Sequence, residues 1–439
     1  MLEASLIEKS RPIQALSKTS FFTRLFSSGR IFTWGRTLLA LLLFSCIFIP
    51  RFSIGSITPI YQVDLRVEDL LLVLIAILTT GVLIGQNSVA LFPSVERAFL
   101  TFLIACEISI LSGIFFRTID KPLLSFLYLV KWAEYFLIFV ATARFAPKKI
   151  DSAFFLKVFF ILGIALAGYG YWEHFFPQAK AVYPNYSRLF ERPPFHGDAN
   201  HLGGLLVLWL GFFTGLFLKT GDAKKRTFLF SALVFVFFPF IWTYSRKSYF
   251  AFAGAIFFSF FLSSGSRRKY FFLLSSLVLL ALFLPTRFAE RLIDLGEAFS
   301  STDPFHSSWA GNWVMWKESL WNFDKFFLFG SGLGSRHRLF YESQYILILA
   351  ETGIAGFLAF FFLGVSLIRQ LFSLISRAPD KEEQGIALGW LIGFVGFMIH
   401  NASCVTWTVS KAAIPFWFLT AAVFTRLQNS NAAEETKTQ

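Results

Sequence analysis

Long apolar stretches alternate with short polar turns along almost the whole chain. Runs of roughly 18 or more nearly uncharged residues recur, and about 20 helical residues are enough to cover a hydrocarbon core of roughly 30 Å. In lipid, every backbone amide and carbonyl must be satisfied within its own segment, so such runs are helices. Barrel strands would be shorter and would alternate apolar with polar positions. The pattern predicts an all-α, polytopic membrane protein with about twelve transmembrane helices. They fall at residues 37–51, 68–86, 97–116, 122–143, 152–174, 199–218, 227–244, 248–264, 270–285, 344–368, 385–405 and 411–426.

One polar segment stands apart by its length. Residues 286–343, between spans nine and ten, predict one large helical extracytoplasmic loop. It opens TRFAERLIDLGEAF, with Phe288, Leu292, Leu295 and Phe299 at helical spacing. It continues SWAGNWVMWKESLW, where Trp309, Trp313, Trp316 and Trp321 predict a helix at the membrane interface, a position Trp favours. Aromatic rings also stack on sugars. The expected organisation is a basic tail at 1–36, spans one to nine over 37–285, the loop at 286–343, spans ten to twelve over 344–426 and a polar tail at 427–439.

Composition agrees with this reading and adds an orientation. The chain is 55% hydrophobic and 15% charged, with a mean hydropathy of +0.60, which excludes an ordinary soluble domain. With the N-terminus in the cytoplasm, the inner segments hold 22 Lys and Arg and the short outer segments ten. This bias places both termini inside and the 286–343 loop in the periplasm of a bacterial cytoplasmic membrane. Most of the formal net charge of +13 is this topology signal, and no motif points to nucleic acid. Cys46, Cys106 and Cys404 lie in or at the end of spans, which argues against a disulfide framework. Residues 1–36 are too polar for a signal peptide and predict a tail lying on the anionic cytoplasmic leaflet.

Polar residues inside or beside the spans are the candidates for chemistry. Lys131 and Glu134 are one turn apart and predict an intrahelical pair, and Glu107 is expected to face the bundle interior. Three polar segments gather on the outer side: 175–198, the turn holding Arg246 and Lys247, and the long loop. Positive charge is disfavoured on short outer turns, so Arg246 is more than a boundary charge snorkelling to water. His196, Asp198 and His201 carry metal-ligand chemistry, but they straddle a loop–helix boundary. A cap on span six by Asp198 or Asn200 is the simpler reading. The glycines of FGSGLG, at 329–334, predict a tight turn leading into span ten rather than a phosphate cradle, since no strand precedes them.

These segments, in this order, resemble the O-antigen ligase and polymerase superfamily of bacterial membrane glycosyltransferases. RPPFHGDANHLG (192–203) resembles the family's Arg…Gly…Asn stretch entering a span, and TYSRKSYFAFAG (243–254) its Ser-Arg-small stretch between central spans. WKESLWNFDKFFLFGSGLG followed by ESQYILILAETGIAGF resembles the family's Trp helix, Gly-x-Gly turn and Ala-Glu-x-Gly-x-x-Gly signature. VEDLLLVL and KWAEYF match further upstream. The resemblance implies a metal-independent, inverting glycosyltransferase with no cofactor. Its donor would be a glycan on undecaprenyl diphosphate, and its acceptor another lipid-linked glycan (polymerase) or lipid A–core (ligase). Polysaccharide-assembly proteins are possible partners.

Ligases carry His-Asn just before the Tyr-Leu pair, where this chain has Glu342 and Ser343. Asn312 and Trp313 stand where the family has an Arg. Both departures favour a polymerase acting in surface polysaccharide or lipopolysaccharide biosynthesis. Within that reading Arg192, Arg246, Arg336 and Arg338 are the expected diphosphate ligands, because a guanidinium grips phosphate oxygens in a bidentate way and keeps its charge. Glu342 is the expected base for the acceptor hydroxyl, His337 is the second candidate, and Arg246 also stabilises the leaving diphosphate. The rival readings are a lipid-linked oligosaccharide flippase and a non-catalytic assembly partner. A flippase would show two similar halves with charges near the midplane.

Overall fold

The computed structural model describes residues 29–49, 52–56, 62–86, 90–176, 199–262, 316–318, 320, 323–335, 343–377 and 380–438. In chain order these residues form α1 (Gly29–Phe48), a ribbon of β1 (Phe52–Ser56) and β2 (Gln62–Leu65), α2 (Val67–Gln86), α3 (Pro93–Phe115), α4 (Pro122–Arg144) and α5 (Lys149–Phe175). They continue with α6 (Ala199–Lys219), α7 (Ala223–Trp242), α8 (Arg246–Leu262), α9 (Gln344–Ile375), α10 (Lys381–Asn401) and α11 (Ser410–Thr438). Among the described residues, nine helices are long and apolar enough to cross a membrane; α8 and α11 are not among them. Helices occupy eleven of the twelve expected positions, and the expected span at 270–285 lies outside the described residues. Most of 286–343 lies outside them too.

Three local departures have physical causes. Phe52–Ser56 and Gln62–Leu65 form an antiparallel ribbon, pairing Phe52 with Leu65 and Ser56 with Gln62, where an all-helical chain was expected. Gly55 and Pro59 disfavour helix there, and the backbone satisfies itself across strands instead. α1 starts inside the expected tail, because Arg36 pairs with Asp151 at the start of α5 and donates to Phe32 O at 3.2 Å. α11 runs on through the expected polar tail to Thr438, anchored by Ser430 on Glu383 (2.9 Å) and by Asn431 Nδ2 on Leu374 O (3.1 Å).

α6 and α10 form the centre of the bundle, with 78% and 72% of their spans buried. Glycines on both helices let the backbones touch. A methyl group at Gly211 would stand 2.6 Å from Gly393 Cα, and one at Gly389 2.5 Å from Phe212 O. Around this pair α8 packs on α10, α3 on α9, and α4 and α5 on α11. Phenylalanine serves both surfaces, rather than the lipid face alone. Phe99, Phe102, Phe139, Phe155 and Phe159 are fully buried among Trp132, Trp209 and Trp417, whereas Phe115, Phe228 and Phe361 are exposed. Lys131 Nζ meets Glu134 at 3.0 Å as expected. Glu107 is exposed on α3 rather than facing the interior.

α9 is broken at Gly353 (φ 65°, ψ −169°). A break inside a span frees carbonyls and amides that lipid cannot satisfy. Residues 326–332 satisfy them. Ser331 N and Oγ donate to Ala350 O (both 3.1 Å), Gly332 N donates to Glu351 O (2.9 Å), and Ile354 N and Ala355 N donate to Phe327 O (2.9 Å) and Leu328 O (3.1 Å). Ser109 Oγ on α3 adds a second bond to Glu351 O at 2.7 Å. Gly330, Gly332 and Gly334 all have positive φ. The Gly-x-Gly run is therefore a turn docked into a helix break, with two of its amides already bonded to helix carbonyls.

The charged ends of the helices sort to two poles. At one pole Glu383, fully buried, accepts from Arg426 Nε (2.9 and 3.2 Å), Lys149 (3.0 Å) and Ser430. Arg36–Asp151 and Lys219–Gln384 lie at the same pole. At the other, Arg66 donates to Ser410 (3.0 Å) and Thr118 to Ser331 O (2.6 Å). Every one of these contacts joins segments that the charge bias assigns to the same side.

The positive-inside assignment predicts which pole is outside. With the three native cysteines replaced, single cysteines at the exposed positions Asp120 and Gly221 are treated with a membrane-impermeant thiol reagent on intact spheroplasts. Labelling is expected at 120 and not at 221, and the reverse pattern inverts the topology. The docked turn makes a second prediction. A methyl group at Gly330 would stand 2.5 Å from Gly353 N, and both residues have positive φ. Gly330→Ala and Gly353→Ala are each expected to destabilise the protein by a few kcal/mol (roughly 2–5). Gly168→Ala on α5, where nothing lies within 4 Å, is expected to leave the thermal midpoint in detergent unchanged or slightly raised.

Candidate functional site

The turn between α7 and α8 is only three residues long, and its polar groups are buried. Thr243 caps α7 and donates to Phe240 O at 2.7 Å; Tyr244 then takes a positive φ of 50°, uncommon for a residue other than glycine. Ser245 starts α8 in the manner of an N-cap: its Oγ accepts from Ser248 N (3.3 Å) and its carbonyl from Tyr249 N (3.1 Å). Ser248 Oγ donates to Ser245 Oγ (2.8 Å), which donates to Asn200 Oδ1 on α6 (2.8 Å). Ser248 also fills the space over Gly203, so α8 is held against α6 by a hydroxyl chain.

This scaffold fixes Arg246 and Lys247 as the first two residues of α8. A helix N-terminus already carries roughly half a positive charge, and cations there oppose the dipole. No acidic residue offsets them in the first turn. Two cations at the positive end of a helix form an arrangement that favours an anion. The positive φ at Tyr244 and the cationic first turn both oppose local stability, and the first turn concentrates positive charge at this pole of the bundle.

The end of α10 supplies a group that sequence reasoning missed. His400 is fully buried, its ring lies over Gly204 of α6, and its Nδ1 pairs with Thr406 Oγ1 at 2.9 Å. Its Nε2 makes no hydrogen bond to a described residue. Asn401 shapes the loop behind it, with Nδ2 donating to Phe397 O (2.6 Å) and Oδ1 accepting from Thr406 N (3.0 Å) and Trp407 N (3.3 Å). The available signal was a His-Asn pair at the end of a span followed by a short polar loop.

α9 begins beside the same pole. Tyr345 donates from its hydroxyl to Met398 O at 2.7 Å, two residues before His400. Ser343 caps the helix from its side chain (Ile346 N, 3.5 Å), and Gln344 is fully buried with neither amide atom hydrogen-bonded to a described residue. The structure thus brings Arg246 and His201 together with Asn200, Lys247 and His400, and puts the start of α9 at the same pole. Arg192, His196, Asp198, Arg336, His337, Arg338 and Glu342 lie outside the described residues. Among the described residues, no three His, Cys, Asp or Glu side chains are grouped to hold a metal ion.

Comparison with known proteins gives one positive result. Residues 230–361 match a family model described as O-antigen ligase. The matched segment contains the Ser245 turn, the docked Gly-x-Gly turn and the break at Gly353. No curated protein matches the chain.

Proposed function

We propose that this integral membrane protein, in which residues 230–361 match a family model described as O-antigen ligase, belongs to the O-antigen ligase and polymerase superfamily of membrane glycosyltransferases and polymerises a surface polysaccharide. It would transfer a glycan from undecaprenyl diphosphate to the hydroxyl of another lipid-linked glycan at the outer face of the bacterial cytoplasmic membrane. The observation that carries the reading is the cationic N-terminus of α8, held rigidly at one pole by Ser245, Ser248 and Asn200. A lipid diphosphate places its charge at that depth, where the membrane's apolar core ends.

In the proposed step the bond between the anomeric carbon and the diphosphate oxygen breaks as the acceptor oxygen attacks from the opposite face. The configuration inverts, and undecaprenyl diphosphate leaves with the bonding electrons. Negative charge grows on the leaving oxygens, so cations fixed in advance stabilise the transition state more than the ground state. Arg246 takes that role, with Arg192, Arg336 and Arg338 as the further diphosphate ligands. The acceptor's proton passes to Glu342, which precedes the Ser343 cap of α9, or to His337. Glu342 in place of the ligases' His favours the polymerase over transfer to lipid A–core. The flippase alternative finds no support in the domain match.

A deletion strain separates polymerase from ligase. Single repeats on lipid A–core are expected; full chains stranded on undecaprenyl diphosphate would identify a ligase instead. In purified, donor-saturated enzyme, normalised to folded protein, Arg246→Lys is expected to lower the transfer rate on the order of 100-fold. A normal rate in Arg246→Ala removes the diphosphate contact. Glu342→Gln is expected to abolish transfer while donor binding persists. An unchanged Glu342→Gln rate with a collapse in His337→Ala assigns the base to His337.

A further inference from the structure

The first turn of α9 holds a polar side chain that the helix does not use. Gln344 is its first residue and is fully buried, yet neither Oε1 nor Nε2 is hydrogen-bonded to a described residue. Its neighbours already perform the structural tasks of the turn. Ser343 supplies the cap, accepting from Ile346 N at 3.5 Å and, through its carbonyl, from Leu347 N at 3.1 Å. Tyr345 supplies the tie to α10, donating to Met398 O at 2.7 Å. An apolar side chain of the same length would fill the position of Gln344 without burying an unmatched amide, which opposes folding. A buried polar group left unmatched by its own chain calls for a partner from outside it.

The adjoining helix end is in the same condition. The Tyr345–Met398 bond joins the start of α9 to the last turn of α10, where the buried His400 has Nδ1 on Thr406 and no described partner for Nε2. The chemistry of the amide selects the ligand. A phosphate oxygen only accepts, so it would take Nε2 and leave Oε1 facing a negative charge. A sugar hydroxyl donates as well as accepts, and two neighbouring hydroxyls match an amide at both ends. Burial sharpens the choice. In open water solvent would replace a missing hydroxyl, whereas here the wrong ligand leaves the amide unpaired. Both atoms are covered, so a sugar must displace neighbouring side chains to reach them.

We infer that Gln344 is a sugar-binding residue, its amide pairing with neighbouring hydroxyls of one sugar in the glycan and so setting which glycan the protein accepts. The inference rests on the glycosyltransferase reading for the presence of a glycan. It uses none of the groups assigned there to the diphosphate or to the base.

The test titrates the full-length protein in detergent with three probes. They are the undecaprenyl-diphosphate-linked glycan extracted from a deletion strain, the glycan released from it by mild acid, and bare undecaprenyl diphosphate. The unaltered protein is expected to bind the released glycan and to prefer the glycan-bearing lipid to the bare one. Gln344→Leu and Gln344→Met are expected to weaken binding of both glycan probes roughly tenfold or more and to leave bare undecaprenyl diphosphate unaffected. Arg246→Lys is expected to weaken the two lipids alike and to spare the released glycan. Both Gln344 variants are expected to match or exceed the thermal midpoint of the unaltered protein, which an amide with a structural task would not allow. Unchanged glycan binding in both variants assigns the amide to an ordered water and overturns the sugar site. Equal weakening of all three probes, or a lower midpoint in both variants, overturns it as well. Released glycan bound without either lipid supports the sugar site and overturns the diphosphate donor. Equal binding of the two lipids without the released glycan does the reverse, and binding of no probe overturns both.

Discussion

A membrane span that breaks must bring its own hydrogen-bond partners, and that constraint shapes the bundle around Gly353. The carbonyls of Ala350 and Glu351 lose their helical donors, and the amides of Ile354 and Ala355 lose their helical acceptors. The Phe326–Gly332 turn returns all four bonds from outside α9. The turn can approach only because Gly330 and Gly353 meet backbone to backbone; Thr118 holds it through Ser331 O, and Ser109 of α3 holds the broken helix through Glu351 O. The described end of the long loop is therefore part of the bundle's interior wiring.

The two poles show how one bundle can hold opposite uses of charge. At the Glu383 pole, a buried carboxylate is matched by Arg426, Lys149 and Ser430, which ties α5, α10 and α11 together. At the Arg246 pole, cations stand at a helix N-terminus where the dipole repels them. Neutral hydroxyls and an amide hold the backbone there, not counter-charges.

The helices were legible because lipid enforces length and apolarity: Val67–Gln86, Pro122–Arg144 and Lys149–Phe175 fall within a few residues of their expected limits. Lys131–Glu134 was legible as a one-turn pair. The ends were not. α1 and α11 overrun their predicted limits because Arg36, Ser430 and Asn431 find partners distant in sequence, on α5, α9 and α10. Arg246 announced itself as a cation out of place, but Ser245 and Ser248 gave no sign that they would chain to Asn200. His400 was missed because one histidine at a span's end looks like a boundary residue until Gly204 and Thr406 are seen around it. Glu107 reads as an inward residue by cost alone, yet its helical phase turns it outward.

The glycine contact between α6 and α10 has a mechanical meaning. No side chains lie between Gly211 and Gly393 or between Gly389 and Phe212 O to act as bearings, so neither helix can slide or roll on the other without driving atoms together. The pair behaves as a single beam. Asn200 at its upper end carries α8, and His400 rides on the same end, so the spacing between the Ser245 turn and the imidazole is set by a member that does not flex. Any movement the protein makes then falls to parts attached to the beam by their edges, while the groups gathered at its tip keep their separation.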